Sequence, residues 1–122
     1  MVTTTQRGQR GEALAADYLR QQGYGILQQN FRGKRGELDI IAEDDGVLCF
    51  VEVRTRESAD HGDPLETVDR NKQRRLIKTA QAYLAGLDAT PAEIRFDVLG
   101  IVYQPSPRYA LIRGAFEADG GF

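Results

Sequence analysis

The chain has 122 residues, of which 41% are hydrophobic and 28% charged, so we expect one globular domain with a substantial core. A formal net charge of −2 does not by itself indicate a nucleic-acid partner, the apolar runs are too short to span a membrane, and the single cysteine, Cys49, excludes an intrachain disulfide and a cysteine-based zinc site. Because the N-terminus also lacks the apolar core of a secretory signal, we expect a cytoplasmic protein with no membrane partner.

The first part of the chain predicts a helix and then a strand. Apolar residues recur at helical spacing from about Gly8 to Gln22, and Gly23 fits the left-handed residue that often follows a helix end. Glu12 lies at the margin of the apolar stripe, where the helix dipole explains an early acidic residue as readily as a functional role does. A strand is predicted at 24–32, and it leads into a basic turn that is punctuated by glycines.

Two strongly apolar strands follow, and each contains charges where core side chains are expected. They are predicted at 37–43 and 47–56, joined by the acidic turn 44–46. The second of these strands is apolar on both faces over most of its length, which is typical of a central strand covered on both sides. Charges within such strands indicate a site, and these charges are Asp39, Glu52 and Arg54.

The alternation of side chains assigns these charges to faces. We expect Leu38 and Ile40 on one face of their strand and Asp39 on the other. In the next strand, Glu52 and Arg54 are two residues apart, so they share a face. These two side chains are therefore expected to project together over the same side of the sheet.

A long helix and two further strands complete the predicted fold. The helix is expected to begin at Leu65 or Asp69 and to end at Ala85, before a glycine. A strand is predicted at 94–103, with one lone charge within it, Asp97, and an edge strand at about 108–113. The element order is then helix, three strands, helix and strand, with an added edge strand.

The polar residues of the second helix fall into two groups. Arg70, Arg74 and Lys78 recur every four residues on the side away from the apolar stripe. For this row, a solvated surface is a more common explanation than contact with phosphate. Gln73 and Lys72 fall instead within or beside the stripe, so each needs a buried partner, which the ends of the charged strands can supply.

Two carboxylates on adjacent strands suit the hydrolysis of a phosphodiester. A carboxylate-bound Mg²⁺ or Mn²⁺ activates water and stabilises the charge of the transition state, and such hard cations prefer oxygen ligands. Asp39 and Glu52 are candidate ligands with the backbone carbonyl of Val53 as a third, and Arg54 is placed to face the substrate phosphate. The basic turn 32–36 is ordinarily solvated surface, but beside a metal site it can contact phosphate oxygens.

Four segments carry a recognisable pattern: Gly11-Glu12, Gly36-Glu37-Leu38-Asp39, Phe50-Val51-Glu52-Val53-Arg54-Thr55-Arg56 and Arg95-Phe96-Asp97. Together they resemble the YraN-like family of small bacterial proteins, over about residues 7–103. That family is placed in the PD-(D/E)xK nuclease superfamily. The resemblance implies an α/β fold with a restriction endonuclease-like αβββαβ core, in which helices flank a mixed central sheet. It also implies one domain over 1–122, with its core at about 8–103 and an edge strand and tail at 104–122.

The resemblance further implies roles for individual residues. Asp39 takes the place of the aspartate of the superfamily motif, Glu52 that of its (D/E), and Glu12 the acidic position on the first helix. Gln73, or Lys72, falls where related Holliday-junction resolvase-like nucleases carry a supporting polar group. The implied ligands of Mg²⁺ or Mn²⁺ are Glu12, Asp39, Glu52 and Val53, and the implied catalytic residues are Asp39, Glu52, Arg54 and Gln73.

One position departs from the motif, because this chain has Arg54 where the superfamily has lysine. Arginine stays protonated, so it can clamp a phosphate but cannot serve as a base. Three functions therefore stay open: a metal-dependent nuclease acting on DNA, a non-catalytic nucleic-acid-binding module, and an interaction protein in which the charges form a structural ion pair. Nucleic acid would be contacted by Arg70, Lys72, Arg74 and Lys78. The edge strands also permit a homodimer.

Overall fold

A computed structural model describes residues 4–63 and 68–118 of the chain. Its helices are α1 (Thr4–Gln21) and α2 (Arg70–Ala85), and its strands are β1 (Gly25–Gly33), β2 (Gly36–Asp44), β3 (Val47–Arg56), β4 (Ile94–Val102) and β5 (Arg108–Phe116). The five strands form one sheet in the order β1-β2-β3-β4-β5. β3 and β4 pair in parallel and the other neighbours pair antiparallel, so the sheet is mixed.

This architecture confirms the predicted fold class, because two helices flank a mixed sheet in the expected element order. It is consistent with a restriction endonuclease-like core. Within the described residues, neither helix combines the length and the apolar character needed to cross a bilayer.

The ends of the helices differ in how well their sequence signals define them. α2 begins at Arg70 because the Asp69 side chain accepts a hydrogen bond from the Lys72 N–H at 2.9 Å, which is the geometry of an N-cap. Of the two predicted starts, Asp69 is therefore confirmed, whereas Leu65 lies outside the described residues. α1 begins at Thr4, earlier than predicted, since a glycine such as Gly8 weakens a helix by only about 1 kcal/mol and does not end it.

Each face of the sheet buries its own apolar cluster beneath one helix. The cluster on the α1 face includes Leu19, Ile40, Val51 and Leu99, and the cluster on the α2 face includes Leu38, Phe50, Leu76 and Phe96. β3 contributes to both clusters, which is why its sequence is apolar on both faces.

The alternation along β2 breaks at Asp39, and the predicted face of Leu38 was wrong. Leu38 packs with Ile41 in the α2 cluster, whereas Ile40 packs in the α1 cluster. The regular ladder between β2 and β3 extends only from Ile40 onward. Beyond that point, the Val53 N–H donates to the Asp39 carboxylate at 2.8 Å, so a side chain takes the place of a main-chain acceptor. The regular pairing of β2 with β3 therefore ends at Asp39.

Candidate functional site

The departure of β2 from the ladder brings two carboxyl groups together. Asp39 Oδ2 is anchored by the Val53 N–H at 2.8 Å, and Asp39 lines a small cavity together with Glu52 of β3. Glu52 is only 5% exposed. Asp39 is partly exposed, so the pair lies at the border between the core and an open cavity.

This surrounding raises the pKa of the Asp39 carboxyl to about 8. Burial is the largest cause, followed by the hydrogen bond and the negative charge of Glu52, while the Val53 N–H and Lys72 act in the opposite direction. The raised pKa favours retention of one proton by the pair of carboxyls near neutral pH, because two neighbouring negative charges repel each other where water is scarce.

A lysine from α2 completes this group. Lys72 Nζ lies 3.1 Å from Glu52 Oε2, and the lysine side chain is 29% exposed. The contact lacks hydrogen-bond geometry, so Glu52 Oε2 accepts no hydrogen bond from the described residues. A buried carboxylate oxygen in this state is unusual, and a bound ion or water is one of its common explanations.

Gln73 does not join the carboxyl pair, although sequence reasoning placed it there together with Lys72. Its side-chain amide donates to the Val68 carbonyl at 3.2 Å, and Gln73 lines a cavity with Ile112 and Phe116 of β5. Arg54 follows Glu52 on β3, and the ladder with β4 continues without interruption past both residues, so they share the α2 face as predicted.

Glu12 faces an open cavity of about 770 Å³ that Asp39 and Val53 also line. Asn30 donates to the Glu12 carboxylate at 3.2 Å and holds it on the α1 side. Among the described residues, no three acidic, histidine or cysteine side chains are close enough to one another to hold a metal ion. The predicted ligands therefore divide into the Asp39–Glu52 pair and a more distant Glu12. Nothing in the sequence pattern indicates that Asn30 is the partner of Glu12, so this contact was not predicted.

The same cavity explains a glycine of the family pattern. A Cβ atom at Gly11 would lie 2.6 Å from Tyr103 Oη, so any larger residue would require α1 or this side chain to shift. The guanidinium of Arg10 covers the Tyr103 ring at 4.9 Å from its centroid. Gly11 thus allows α1 to approach the end of the sheet where the cavity opens.

The interpretation of Asp97 as a lone charge was wrong. Asp97 is fully buried and accepts hydrogen bonds from Tyr24 Oη at 2.6 Å, from Arg95 Nε at 2.8 Å and from the Gly114 N–H at 2.9 Å. Arg95 also donates to Asp44 at 2.7 Å. This network links β2, β4 and β5 with Tyr24, which precedes β1. Apart from Arg95, the partners of Asp97 are distant in sequence, so the sequence pattern did not show the network.

The basic residues of α2 lie on different sides of the helix. Arg70 and Arg74 line a shallow cavity with Ile77 and Phe116, between α2 and β5. Lys78 is exposed on the outer surface. Lys72 is the member of the predicted group that contacts the carboxyl pair.

Comparison with known proteins places the chain in a family. The model of the "Uncharacterised protein family UPF0102" matches residues 11–101. A UPF0102 protein of Persephonella marina is 45% identical over 113 residues, which cover 93% of this chain and 95% of the relative. The corresponding figures are 52% over 95 residues, 78% and 74%, for Chlorobaculum parvum, and 46% over 115 residues, 91% and 96%, for Symbiobacterium thermophilum. The chain therefore belongs to the UPF0102 family, the YraN-like family that its motifs resemble.

Proposed function

We propose that this protein is a metal-dependent nuclease of the PD-(D/E)xK superfamily, which hydrolyses phosphodiester bonds in nucleic acid, foremost DNA. The observation that carries the proposal is that Asp39 and Glu52 line the same small cavity, with Lys72 Nζ 3.1 Å from Glu52. A pair of carboxylates beside an ammonium group is suited to binding a hard cation and to stabilising the transition state of phosphodiester hydrolysis.

The residues present fit a bound Mg²⁺ or Mn²⁺. Glu52 Oε2 is buried without a hydrogen bond from the described residues, and the raised pKa of Asp39 reflects a surplus of negative charge that a cation would neutralise. Mg²⁺ needs only one or two carboxylates, because it retains several waters. Asp39 and Glu52 would hold the ion, with the Val53 carbonyl as a further ligand. Glu12 is held by Asn30 and would act from the wall of the same cavity.

When bound, the metal would supply activation of the attacking water and stabilisation of negative charge. The protein itself supplies the remaining functions. Lys72 provides a compact ammonium with three donors, which is the group that β3 lacks because it carries Arg54. Arg54 offers a planar set of donors that can clamp a phosphate of the substrate. Asp39 must release its proton for the cation to bind, so metal binding and the ionisation of Asp39 are linked.

The contact between Lys72 and Glu52 also favours a second candidate, in which the charges form a structural ion pair without catalysis. Buried ion pairs occur for structural reasons, and removing one partner destabilises the protein. The presence of Arg54 where the superfamily motif has lysine likewise suits a module that binds nucleic acid without cutting it. These alternatives predict no metal-dependent turnover.

Nuclease assays distinguish the candidates. Single-stranded, double-stranded and branched DNA, and RNA of the same sequence, are incubated with the protein in Mg²⁺, Mn²⁺ or EDTA. We expect metal-dependent cleavage that is lost in Asp39→Asn and Glu52→Gln and retained in Asp88→Asn, which changes an exposed carboxylate after α2. Lack of cleavage of every substrate in both metals, or equal cleavage by Asp39→Asn, would refute the nuclease proposal.

A further inference from the structure

We infer that nucleic acid approaches the carboxyl pair along one side of α2, over a cationic surface formed by Lys34, Arg35 and Arg75. We call this surface the hairpin flank, because Lys34 and Arg35 lie at the turn of the β1–β2 hairpin. The inference rests on the proposed function for the chemical class of its ligand. Binding is measured separately from cleavage, so the two proposals can fail independently.

The hairpin turn packs directly against α2. A Cβ atom at Gly36 would lie 3.2 Å from Thr79 Oγ1, and a Cβ atom at Gly33 would lie 3.7 Å from Thr79 Cγ2. Thr79 is buried in this contact, with 1% of its surface exposed. Lys34 and Arg35 lie between the two glycines and are exposed. The turn therefore presents its cations at the side of α2 that carries Thr79.

Arg75 lies on the same side of the helix, between the hairpin and the carboxyl pair. Lys72, Arg75 and Thr79 are three and four residues apart, so they occupy one flank of α2. Lys72 contacts Glu52 at one end of this row, and the Thr79 hydroxyl donates to the Arg75 carbonyl at 2.8 Å. With a rise of roughly 1.5 Å per residue, the row is about 10 Å long. That length matches about three phosphates of one strand, at roughly 3.4 Å of duplex axis each.

The cations of the hairpin flank are not neutralised within the described part of the chain. Lys34, Arg35 and Arg75 form no ion pair with a described residue, whereas the neighbouring Arg32 pairs with Glu37 at 3.4 Å. Exposed cations without counter-charges attract a polyanion and release its counterions on binding. Because the row leads to Lys72 and Glu52, a bound strand would pass the proposed metal site.

The opposite flank of α2 has cations in a different setting. Arg70 and Arg74 face β5, beside Phe116 and the carboxylate-bearing Glu117. The body of the helix separates them from the carboxyl pair, so, in contrast to the expectation from the sequence, Arg70 and Arg74 are left out of the proposed contact with nucleic acid. One helix therefore offers two groups of arginines at different distances from the proposed site, which gives a matched comparison.

Two double variants test the hairpin flank. Arg35→Gln/Arg75→Gln and Arg70→Gln/Arg74→Gln each remove two arginine charges from exposed positions. Binding of labelled single-stranded and duplex DNA is measured in EDTA over a series of salt concentrations. We expect the first variant to weaken binding by about tenfold or more at low salt and to reduce the slope of log K against log salt by about two. The second variant should stay within about twofold of the wild type.

The inference would be overturned if Arg70→Gln/Arg74→Gln lost as much DNA affinity as the first variant, or more. It would also be overturned if the wild-type protein did not bind DNA at low salt, or if it bound anionic lipid vesicles in place of DNA. Thermal unfolding verifies that both variants fold. If Arg35→Gln/Arg75→Gln does not fold, it is replaced by Lys34→Gln/Arg35→Gln, which changes only the exposed turn. DNA binding through the hairpin flank without metal-dependent cleavage would refute only the nuclease proposal. Cleavage with equal binding by the two double variants would refute only this inference.

Discussion

Lys72 Nζ lies 3.1 Å from Glu52 Oε2, and this contact joins the first turn of α2 to the middle of the central strand β3. It places one ammonium group against two acidic groups, because the Glu52 carboxyl is also within reach of Asp39. The site therefore draws its acidic groups from the sheet and its ammonium from the helix.

Removal of the ammonium tests the energetic role of this contact. Lys72→Met leaves Glu52 buried without its cation, and we expect a loss of about 1–3 kcal/mol in the free energy of unfolding. The expected loss is below the value of a fully buried pair, because Lys72 is 29% exposed and water already screens part of the interaction. Urea denaturation measures the change.

The matched control for this change is Lys78→Met, an exposed lysine on the same helix, for which we expect a change within about 0.5 kcal/mol. In a Glu52→Gln background, Lys72→Met should cost less than it does alone, because no buried charge is left unpaired. Equal effects of Lys72→Met and Lys78→Met would contradict the ion pair.

Asp39 gives the stability of the protein a specific pH dependence. Its pKa rises from 3.8 to about 8 on folding. Between these two pH values, the folded protein keeps a proton that the unfolded chain has lost. The stabilisation is fully present below pH 3.8 and is lost as pH rises through about 8, because unfolding releases the proton. Asp39→Asn cannot ionise, so its stability relative to the wild type should increase as pH rises.

Urea denaturation of both proteins between about pH 4.5 and pH 9 measures this difference. Asp88→Asn, which removes an exposed carboxylate, should follow the wild-type curve. Parallel curves for the wild type and Asp39→Asn would show that Asp39 titrates in the same range in both states.

Binding of Mg²⁺ or Mn²⁺ should stabilise the folded protein independently of catalysis. At a metal concentration ten times Kd, the gain is about 1.4 kcal/mol, which raises Tm by several degrees in a domain of this size. We expect the shift to disappear in Asp39→Asn and Glu52→Gln and to persist in large part in Glu12→Gln, because Asn30 holds Glu12 outside the pair.

The same titration provides a second test, because the apparent metal affinity should increase with pH until Asp39 is ionised. Differential scanning fluorimetry at several metal concentrations measures both effects. A shift that survives Glu52→Gln, or one that is independent of pH, would place the metal elsewhere.

The close contact at Gly11 predicts a change of sign between two backgrounds. Gly11→Ala puts a Cβ atom 2.6 Å from Tyr103 Oη, and we expect it to cost about 1–3 kcal/mol. In Tyr103→Phe that oxygen is gone, and the nearest remaining ring atom lies at 3.9 Å, so the alanine should be tolerated. There, the higher helix propensity of alanine can stabilise α1 by up to about 1 kcal/mol.

Gly8→Ala is the matched control, because no atom lies within 4 Å of a Cβ atom at this position of the same helix. It should stabilise the protein slightly in both backgrounds, as measured by thermal unfolding. A Gly11→Ala protein as stable as the wild type would mean that α1 can shift away from Tyr103.

The sequence alone determined the order of the elements and the position of the acidic residues. Strand β3 was predicted with its observed bounds, Val47–Arg56, and the shared face of Glu52 and Arg54 followed from its period of two. The N-cap at Asp69 was also a local signal. These features depend on neighbours within a few residues, so periodicity and capping are sufficient to define them.

Only the tertiary structure decided which polar groups meet. It moved Leu38 to the α2 face, because the Asp39 side chain replaces a main-chain acceptor and the strand leaves its ladder. It selected Lys72 rather than Gln73 as the partner of Glu52. It also gave Asp97 two partners that are distant in sequence, Tyr24 just before β1 and Gly114 in β5. The physical reason is that adjacent residues on a helix point about 100° apart, so the crossing of α2 over the sheet decides which of them reaches the carboxyl pair.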